Sequence, residues 1–362
     1  MEIDLDIIRR NVKELIRISQ TEVMAIVKAN GYGHGAAEIA RASVEAGATW
    51  CGVARLEEAI ALRRAGLNCQ ILALGYTSPD RVAEAVNNNI CLTIYDQQIG
   101  ESYAEQARNL GGILRLHIKV DTGMGRLGIS PDTALAFIES LSQRPQLMIE
   151  GIFTHFARAD EPQAGTTEDQ LALFDRLIKQ LKQDGIAPRF IHTANSAAAL
   201  NFPTARYDLI RPGISLYGFP PSPETPIPDG LKPGLTWKTR LTSVRTFPPE
   251  HGISYGHIYR TKTSERIGSI AIGYADGFRR VSGNEAIVRG KRVPVVGRVC
   301  MDQCMLQLDD VPDAEIGDEV VLLGGQGSEY ISAEELAARW GTFNYEVICG
   351  LSARLPRVYL NQ

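Results

Sequence analysis

The chain has 362 residues, and at about 150 residues per domain this length predicts two domains or one large barrel with an addition. Hydrophobic residues make up 44% and charged residues 22% of the chain, which is typical of a globular protein and not of a disordered one. The formal net charge is −4 without a block of like charge, and no apolar run approaches ~18 residues, so neither nucleic acid nor a membrane is an expected partner.

Short apolar runs rich in β-branched residues alternate with helical segments after a first helix that Asp4 or Asp6 can cap. Eight runs predict strands: VMAIVKA (23–29), TWCGVA (49–54), QILALG (70–75), CLTIY (91–95), ILRLHIKV (113–120), MIEGIFTH (148–155), FIHTA (190–194) and YDLIR (207–211). Most segments between them have helical spacing, such as 36–46 and 168–183. Continuous apolar strands alternating with helices indicate a parallel sheet buried on both faces. Eight such units favour an α/β fold of the (β/α)8 TIM-barrel type, with a doubly wound open sheet as the alternative.

A Pro-rich stretch at 220–234 predicts a linker, and the pattern changes after it. Strands then follow without intervening helices: WKTRLTSVRTF, RIGSIAIGY, EAIVRGKRVPVVGRV, QCMLQL and EVVLLGG. One helix, SAEELAARW (332–340), interrupts them. We therefore expect a barrel domain over 1–230 and a mostly β domain over 231–362.

Polar side chains follow the predicted barrel strands at their C-terminal ends, where barrel enzymes place catalytic groups and often bind phosphate. They are Lys28, Arg126, His155, Asn195, Ser196 and Arg211. Their shared position predicts one site with anion-binding donors. On pattern alone, His155 is more often a core histidine, and Tyr255 and Tyr274, in β segments, are more often packing residues.

The remaining motifs are weak. The stretch NGYGHG (30–35) is neither GxGxxG nor a P-loop, and one Asp121-Thr122-Gly123 cannot form the paired carboxylates of an aspartic protease. Six scattered cysteines without a CxxC pair predict neither a metal site nor a disulfide framework. Cys300 and Cys304 are expected in a strand. With no basic and then apolar N-terminal segment, a cytoplasmic protein with reduced thiols is expected.

The stretch VKANGYGHG (27–35) resembles the cofactor-lysine motif of alanine racemases. Further motifs resemble that family in the same order: EIDLD (2–6), KVDTGMGRLG (119–128), THFARAD (154–160), HTANSAA (192–198), RPGISLYG (211–218), SYGHIY (254–259), GYADG (273–277), VGRVCMD (296–302) and LPRV (355–358). The resemblance covers essentially the whole chain. It implies an enzyme that uses pyridoxal 5'-phosphate (PLP) on an eight-stranded α/β barrel followed by a β domain.

The resemblance implies catalytic roles for four residues. Lys28 would hold PLP as a Schiff base and serve the α-proton on one face of the substrate. Tyr255 of the other subunit would serve the opposite face, supported by His155 linked to Arg211. Arg211 would also donate a hydrogen bond to the pyridine nitrogen and leave it unprotonated. Sites completed in this way require a homodimer.

The same resemblance implies a set of binding residues. Tyr32, Ser196 and the amides of Gly213 and Ile214 would meet the cofactor phosphate, with Asn195 beside them. Arg126 would contact the cofactor and the substrate carboxylate, and Met301 would bind the same carboxylate. Tyr274 and Asp302 would lie at the substrate entrance. Lys119 matches a lysine that is carbamylated in many members of the family. Gly31 stands where alanine is usual, and Ala353 where some members have a phosphate-binding tyrosine.

The implied function is interconversion of L- and D-alanine, which supplies D-alanine for peptidoglycan. A racemase acting on serine or on a broad range of amino acids is the first alternative. A PLP carrier without catalysis is the second, and the β domain with Tyr255 and Met301 argues against it. Basic amino-acid decarboxylases share the fold but pair the ring nitrogen with an acid, so Arg211 argues against them.

Overall fold

Residues 1–362 are all described in the computed structural model, and they divide into two units. The barrel unit comprises Asp6–Gly31 and Gly35–Pro233. The β unit comprises Met1–Leu5, Tyr32–His34 and Gly234–Gln362. None of the helices has both the length and the apolar character that a membrane crossing needs.

The strands, in chain order, are β1 (Glu2–Asp4), β2 (Glu22–Ile26), β3 (Trp50–Val53), β4 (Gln70–Ala73), β5 (Cys91–Ile94), β6 (Leu114–Lys119), β7 (Leu147–Phe153), β8 (Phe190–His192), β9 (Leu209–Ile210), β10 (Leu235–Phe247), β11 (Gly252–Ile253), β12 (Tyr259–Arg260), β13 (Glu265–Ile270), β14 (Glu285–Val288), β15 (Lys291–Val296), β16 (Cys304–Gln307), β17 (Glu319–Gln326), β18 (Glu329–Ile331) and β19 (Val358–Leu360). The helices are α1 (Leu5–Ser19), α2 (Lys28–Tyr32), α3 (Ala36–Glu45), α4 (Leu56–Arg64), α5 (Val82–Asn87), α6 (Gln97–Asn109), α7 (Pro131–Ser142), α8 (Thr166–Gln183), α9 (Ser196–Asn201), α10 (Ala333–Trp340) and α11 (Asn344–Cys349). Short 3₁₀ turns cover Pro79–Arg81, Pro162–Ala164, Pro203–Ala205, Ile214–Tyr217, Tyr255–His257 and Tyr274–Asp276.

The barrel unit contains one parallel sheet of eight strands in the order β8-β7-β6-β5-β4-β3-β2-β9. Two backbone hydrogen bonds at the ends of the edge strands β8 and β9 close the sheet. Asp208 N donates to Ile191 O, and Arg211 N donates to Ala194 O. β3 and β5 are buried along their whole length, as expected for strands covered by helices outside and packed side chains inside. The predicted (β/α)8 barrel is therefore confirmed, and the open-sheet alternative is wrong.

The barrel strands end earlier than their apolar runs. β2 ends at Ile26, although the run continues to residue 29, and only Leu209–Ile210 of the last run forms a strand. Val27 is buried but lies outside the strand. An apolar run indicates which residues are buried, and it does not indicate which residues pair in a sheet. The chain stays buried for a residue or two after it leaves the sheet, so the run extends beyond the strand.

The β unit is built around a closed ring of six antiparallel strands. The ring order is β17-β14-β15-β16-β13-β10, and β10 pairs with β17 to complete it. β18 extends one end of the sheet, and β1 and β19 extend the other. Phe278 is fully buried between Trp237 and Trp340, with ring centroids 5.7 and 6.0 Å away, at the core of the unit. The prediction of a single helix here was wrong, since α11 follows α10.

Two further expectations about local structure were wrong. The Pro-rich stretch 220–234 leads from the barrel unit to the β unit, and up to Pro233 it is held by hydrogen bonds within the barrel unit, where Ser222 Oγ donates to Asp160 O at 2.8 Å and Lys232 N donates to Asn11 Oδ1 at 3.0 Å. Tyr255 and Tyr274 lie in 3₁₀ turns and not in strands, and Cys300 precedes β16. Prolines and exposed tyrosines are common in irregular backbone. Composition alone does not show whether tertiary contacts fix the conformation of such a segment.

Candidate active site

Lys28 lies just after β2 at the start of a turn with left-handed backbone. Ala29, Asn30 and Gly31 have φ angles of 53°, 53° and 62°. This conformation costs roughly 1–2 kcal/mol for each non-glycine residue. The carboxylate of Glu58 holds the turn by accepting the Ala29 N–H at 2.7 Å. The backbone beside Lys28 is thus strained and fixed, a combination that occurs at functional segments.

Glu58 was missed by the sequence analysis. Besides Ala29, its carboxylate accepts the N–H groups of Ala54 at 2.7 Å and Arg55 at 3.1 Å, where β3 passes into α4. The only signal in the sequence is an acid three residues after the helix N-cap at Arg55, a common capping position. That signal predicts a helix start and gives no hint of the bond to Ala29.

Arg211 is buried just after β9, and fixed acceptors surround its guanidinium. Its Nη2 donates to the carbonyl oxygens of Thr154 at 2.8 Å and Thr193 at 2.9 Å, and its Nη1 donates to His192 Nδ1 at 2.9 Å. Burial lowers the pKa of Arg211 to about 9, so the side chain remains a cation at neutral pH. Arg211 is therefore an oriented donor that cannot accept a proton.

His155 lies beside this guanidinium, with Nδ1 3.3 Å from Arg211 Nη2. Burial, followed by the charges of Arg211 and Lys119, holds the pKa of His155 well below its usual range, so the ring is neutral at pH 7. Because arginine can only donate, Nδ1 accepts and the ring proton sits on Nε2. His155 therefore offers an N–H to a further acceptor.

A second histidine chain runs from Arg211 into the barrel, and the sequence analysis did not predict it. His192 accepts from Arg211 at Nδ1, so its proton is on Nε2, which donates to His117 Nδ1 at 2.8 Å. Both rings are fully buried, and burial is the main cause that lowers their pKa values, to about 3 for His117. His192 lies in a stretch that resembles the family, but nothing in the sequence links it to His117.

Lys119, the last residue of β6, is buried among positive charges. Burial and the charges of Arg126, Arg211 and Lys28 lower its pKa to about 8, opposed only in part by Asp121. Arg126 lies on the exposed loop after β6. These charges follow the C-terminal ends of three barrel strands, and together they make this end of the barrel attractive to anions.

Ser196 and the segment after β9 present polar groups at the same end. Ser196 Oγ accepts the N–H of Gly213 at 2.9 Å and that of Ser215 at 3.3 Å. Ser215 Oγ is buried without a hydrogen-bond partner, which is costly unless a further group supplies one. Ile214 begins the 3₁₀ turn, and Asn195 caps α9 by accepting the Ala198 N–H at 3.0 Å. The hydroxyls of Ser196 and Ser215 suit an anion.

Tyr32 belongs to the β unit and is buried there. Its ring centroid lies 6.2 Å from that of Tyr345, and burial, with smaller effects of Tyr345 and Cys349, raises the pKa of its hydroxyl. The Tyr32 carbonyl lies 3.0 Å from Nδ1 of the buried His34. The tyrosine is therefore fixed and un-ionised, fit to donate a hydrogen bond.

Three of the other predicted residues of the β unit share an open pocket of about 560 Å³. Tyr255, Met301 and Asp302 line it, and the side chains of Tyr255 and Met301 are 66% and 53% exposed. Tyr274, 42% exposed, follows Gly273, whose missing Cβ would lie 2.2 Å from Met301 O. Only glycine allows this close approach.

Asp302 is held by an ion pair within the β unit. Its Oδ1 accepts from Arg354 Nη2 at 2.7 Å, and Arg354 Nε lies 2.8 Å from Asp276 Oδ1. The predicted residues therefore form two groups, each inside one unit. In the barrel unit they are Lys28, Lys119, Arg126, His155, Asn195, Ser196, Arg211, Gly213 and Ile214, and in the β unit they are Tyr32, Tyr255, Tyr274, Met301 and Asp302.

Solved structures share this fold and come from one class of enzyme. Alanine racemase from Bacillus anthracis with bound L-Ala-P is 42% identical, with a TM-score of 0.93 over 99% of this chain and 94% of that chain. Histidine racemase from Leuconostoc mesenteroides subsp. sake is 31% identical, with a TM-score of 0.93 over 99% of this chain and 97% of that chain. Fold and site thus define an amino-acid racemase, an isomerase.

The alanine racemase of Symbiobacterium thermophilum is 44% identical over 361 residues, 99% of this chain and 96% of that protein. Residues 3–221 match the alanine racemase N-terminal domain and residues 234–359 the C-terminal domain, so the chain belongs to the alanine racemase family.

Proposed function

We propose that this chain interconverts L- and D-alanine with PLP bound at the C-terminal end of the barrel. The observation that carries the proposal is the group of Lys28, Lys119, Arg126 and Arg211 around His155: burial and, after it, these four charges hold the pKa of that histidine well below its usual range. Such a group suits a cofactor phosphate and a substrate carboxylate. D-Alanine made in this way would supply peptidoglycan synthesis in the cytoplasm.

The residues present fit PLP. The unpartnered Ser215 Oγ suits a phosphate oxygen, because a phosphate offers the acceptor that this buried hydroxyl lacks. Ser196 Oγ, which accepts two amide N–H groups, can donate its own proton to a second phosphate oxygen. The Lys28 amine can hold an aldehyde carbon covalently. Arg211 is an oriented donor for a ring nitrogen, and as a cation at neutral pH it would leave that nitrogen unprotonated.

Racemisation needs a proton acceptor and donor on each face of a planar carbon. When bound, PLP supplies an electron-withdrawing ring that takes up the electron pair left as the α-proton departs. We assign one face to the Lys28 Nζ and the other to the hydroxyl of Tyr255 of the partner subunit. The Nε2–H of His155 can donate to that phenolic oxygen and favour its ionised form, the form that acts as a base.

Lys119 is proposed to carry a carbamate that orients Arg126. Only the neutral amine adds CO2, and a pKa of about 8 leaves an appreciable neutral fraction near that pH. The ammonium first loses one proton. The neutral amine then forms the N–C bond to CO2 as one C=O electron pair moves onto oxygen and the nitrogen loses a second proton, so the side chain changes from a cation to an anion. The repulsion from Arg126 and Arg211 becomes attraction, and Arg126 is then held for a substrate carboxylate.

We propose a homodimer in which the β-unit pocket completes the barrel site of the other subunit. The exposure of Tyr255 and Met301 in an open pocket supports this role. Mixing inactive Lys28→Ala with inactive Tyr255→Phe chains should restore partial activity once subunits exchange. Each variant mixed with itself is the control. Failure despite exchange verified with labelled subunits would place both bases on one chain.

The first test is chemical. PLP added to the full-length protein should give a visible band that borohydride bleaches, with the label on Lys28 in the peptide map. Lys119→Arg should still be labelled at Lys28, and Lys28→Ala should lose the label. Labelling of another lysine would overturn the cofactor site.

Substrate choice is tested by following optical rotation. The full-length match to a histidine racemase indicates that this fold carries more than one racemase, so L-alanine, L-serine and L-histidine are compared side by side. Fastest loss of rotation with L-alanine supports the proposal. PLP capture without loss of rotation for any amino acid would favour a carrier.

A further inference from the structure

Two cysteines on neighbouring barrel strands bring their sulfurs together at the N-terminal ends of those strands. Cys51 is the second residue of β3, and Cys69 immediately precedes β4. The two strands are parallel and Cys51 lies opposite Ile71, so Cys69, two residues before Ile71, is its diagonal neighbour across the pair. The two Sγ atoms are 3.6 Å apart, a thiol hydrogen-bond distance. This end of the barrel is opposite to the one that carries Lys28.

The two thiols differ in exposure and in charge environment. Cys51 is fully buried, whereas Cys69 is partly exposed and accessible to a small molecule. The hydrogen bond between the two sulfurs and, after it, the charge of Arg63 lower the pKa of Cys69 to about 7, and Arg63 Nη1 also donates to the Cys69 carbonyl at 2.8 Å. The same hydrogen bond and burial raise the pKa of Cys51. The partly exposed Cys69 therefore has the lower pKa of the pair, and the buried thiol of Cys51 is in contact with it.

Other cysteines lack this arrangement. Cys91 is buried, and its thiol donates to Glu150 at 3.3 Å, which with burial raises its pKa. Burial raises the pKa of Cys304 to about 12. Cys349 is exposed. Thiolate character and access together determine thiol reactivity, and Cys69 combines them.

We propose that Cys51 and Cys69 are a redox-active dithiol that hydrogen peroxide converts to an intrachain disulfide. The Cys69 thiolate attacks one peroxide oxygen, the O–O bond breaks, and hydroxide leaves to become water, giving a sulfenic acid on Cys69. The Cys51 sulfur then attacks the Cys69 sulfur as its proton leaves. The S–S bond forms, the S–O bond breaks, and a second water departs. Two electrons pass from the sulfurs to peroxide.

The test is a peptide map of the full-length protein treated with one equivalent of hydrogen peroxide and then with an alkylating agent. Trypsin separates the two cysteines, because Arg55, Arg63 and Arg64 lie between them. The expected product is a cross-link of peptides 42–55 and 65–81 that dithiothreitol reverses. Peroxide consumption by the first step should fall about tenfold per pH unit below the pKa of about 7 of Cys69.

Variants separate the two steps. Cys51→Ala should leave a sulfenic acid on Cys69 that dimedone captures, and Cys69→Ser should give neither bridge nor dimedone adduct. Cys349→Ser, which removes an exposed thiol, should form the bridge at the wild-type rate. Either of two results in the unsubstituted protein would overturn the proposal. In the first, Cys349 is oxidised by peroxide while Cys51 and Cys69 are both still free to be alkylated. In the second, Cys69 is oxidised beyond the sulfenic acid while Cys51 is still free to be alkylated.

Discussion

Replacing Glu58 with glutamine tests whether its carboxylate positions Lys28. Glu58 Oε1 accepts the Ala29 N–H at 2.7 Å, and Oε2 accepts those of Ala54 at 2.7 Å and Arg55 at 3.1 Å. Hydrogen bonds to a charged acceptor contribute roughly 1.5–3 kcal/mol each, and less where water competes, as in this half-exposed loop. Glutamine keeps one carbonyl oxygen and turns an amide N–H towards a backbone donor, so one or two of the three bonds are lost.

We expect Glu58→Gln to lower the free energy of unfolding by about 1–3 kcal/mol in urea titrations. Because Ala29 directly follows Lys28, the amine also becomes less well placed, and kcat for alanine racemisation should fall roughly tenfold with a smaller change in KM. The matched control is Glu57→Gln on the same helix. Glu57 is 61% exposed and paired with Arg81, and its loss should change stability by less than about 1 kcal/mol. Lost stability with unchanged kcat in Glu58→Gln would refute a positioning role.

Three further outcomes are expected. Burial keeps the pKa of Lys119 at about 8, below the ordinary 10.5, so the unfolded chain binds more protons between these values and the free energy of unfolding should rise with pH across that window. Lys119→Met should remove up to about 3 kcal/mol of that rise, measured by urea unfolding in CO2-free buffer; an identical rise would contradict the assignment. Glu150→Ala should lower the free energy of unfolding by about 3 kcal/mol in the same assay, because the Arg115 guanidinium loses its two hydrogen bonds of 2.9 and 2.7 Å to that carboxylate. A change near zero would show that water replaces these bonds. Gly273→Ala places a Cβ 2.2 Å from Met301 O and should reduce kcat/KM at least roughly tenfold, whereas unchanged kinetics would mean that the Met301 loop is not needed.

Strand number and order in the barrel were accessible from the sequence because parallel strands are buried on both faces. CLTIY (91–95) predicts β5 almost residue for residue, because every residue of that strand is buried. The run VMAIVKA (23–29), which contains Lys28, was less informative. Val27 is buried without strand pairing, and the left-handed turn that follows depends on Glu58, thirty residues later in the chain.

Helix α11 was missed because only six residues form it, and its apolar positions resemble a loop that touches a core. His192 and His117 were missed for a different reason. A histidine on an apolar strand gives the same pattern whether it is a packed side chain or part of a hydrogen-bonded chain, and the partner of each lies far along the sequence.

The sequence by itself determined the alternation of strands and helices, and with it the end of the barrel where Lys28, His155 and Arg211 lie, because all parallel strands of a barrel point the same way. Only the tertiary structure decided which acceptor each donor meets. Arg211 can only donate, and its bond to His192 sets the tautomers of two buried histidines. Closure of the sheet brings these groups together, and no local pattern encodes that closure. The same pairing of neighbouring strands places the sulfurs of Cys51 and Cys69 in contact.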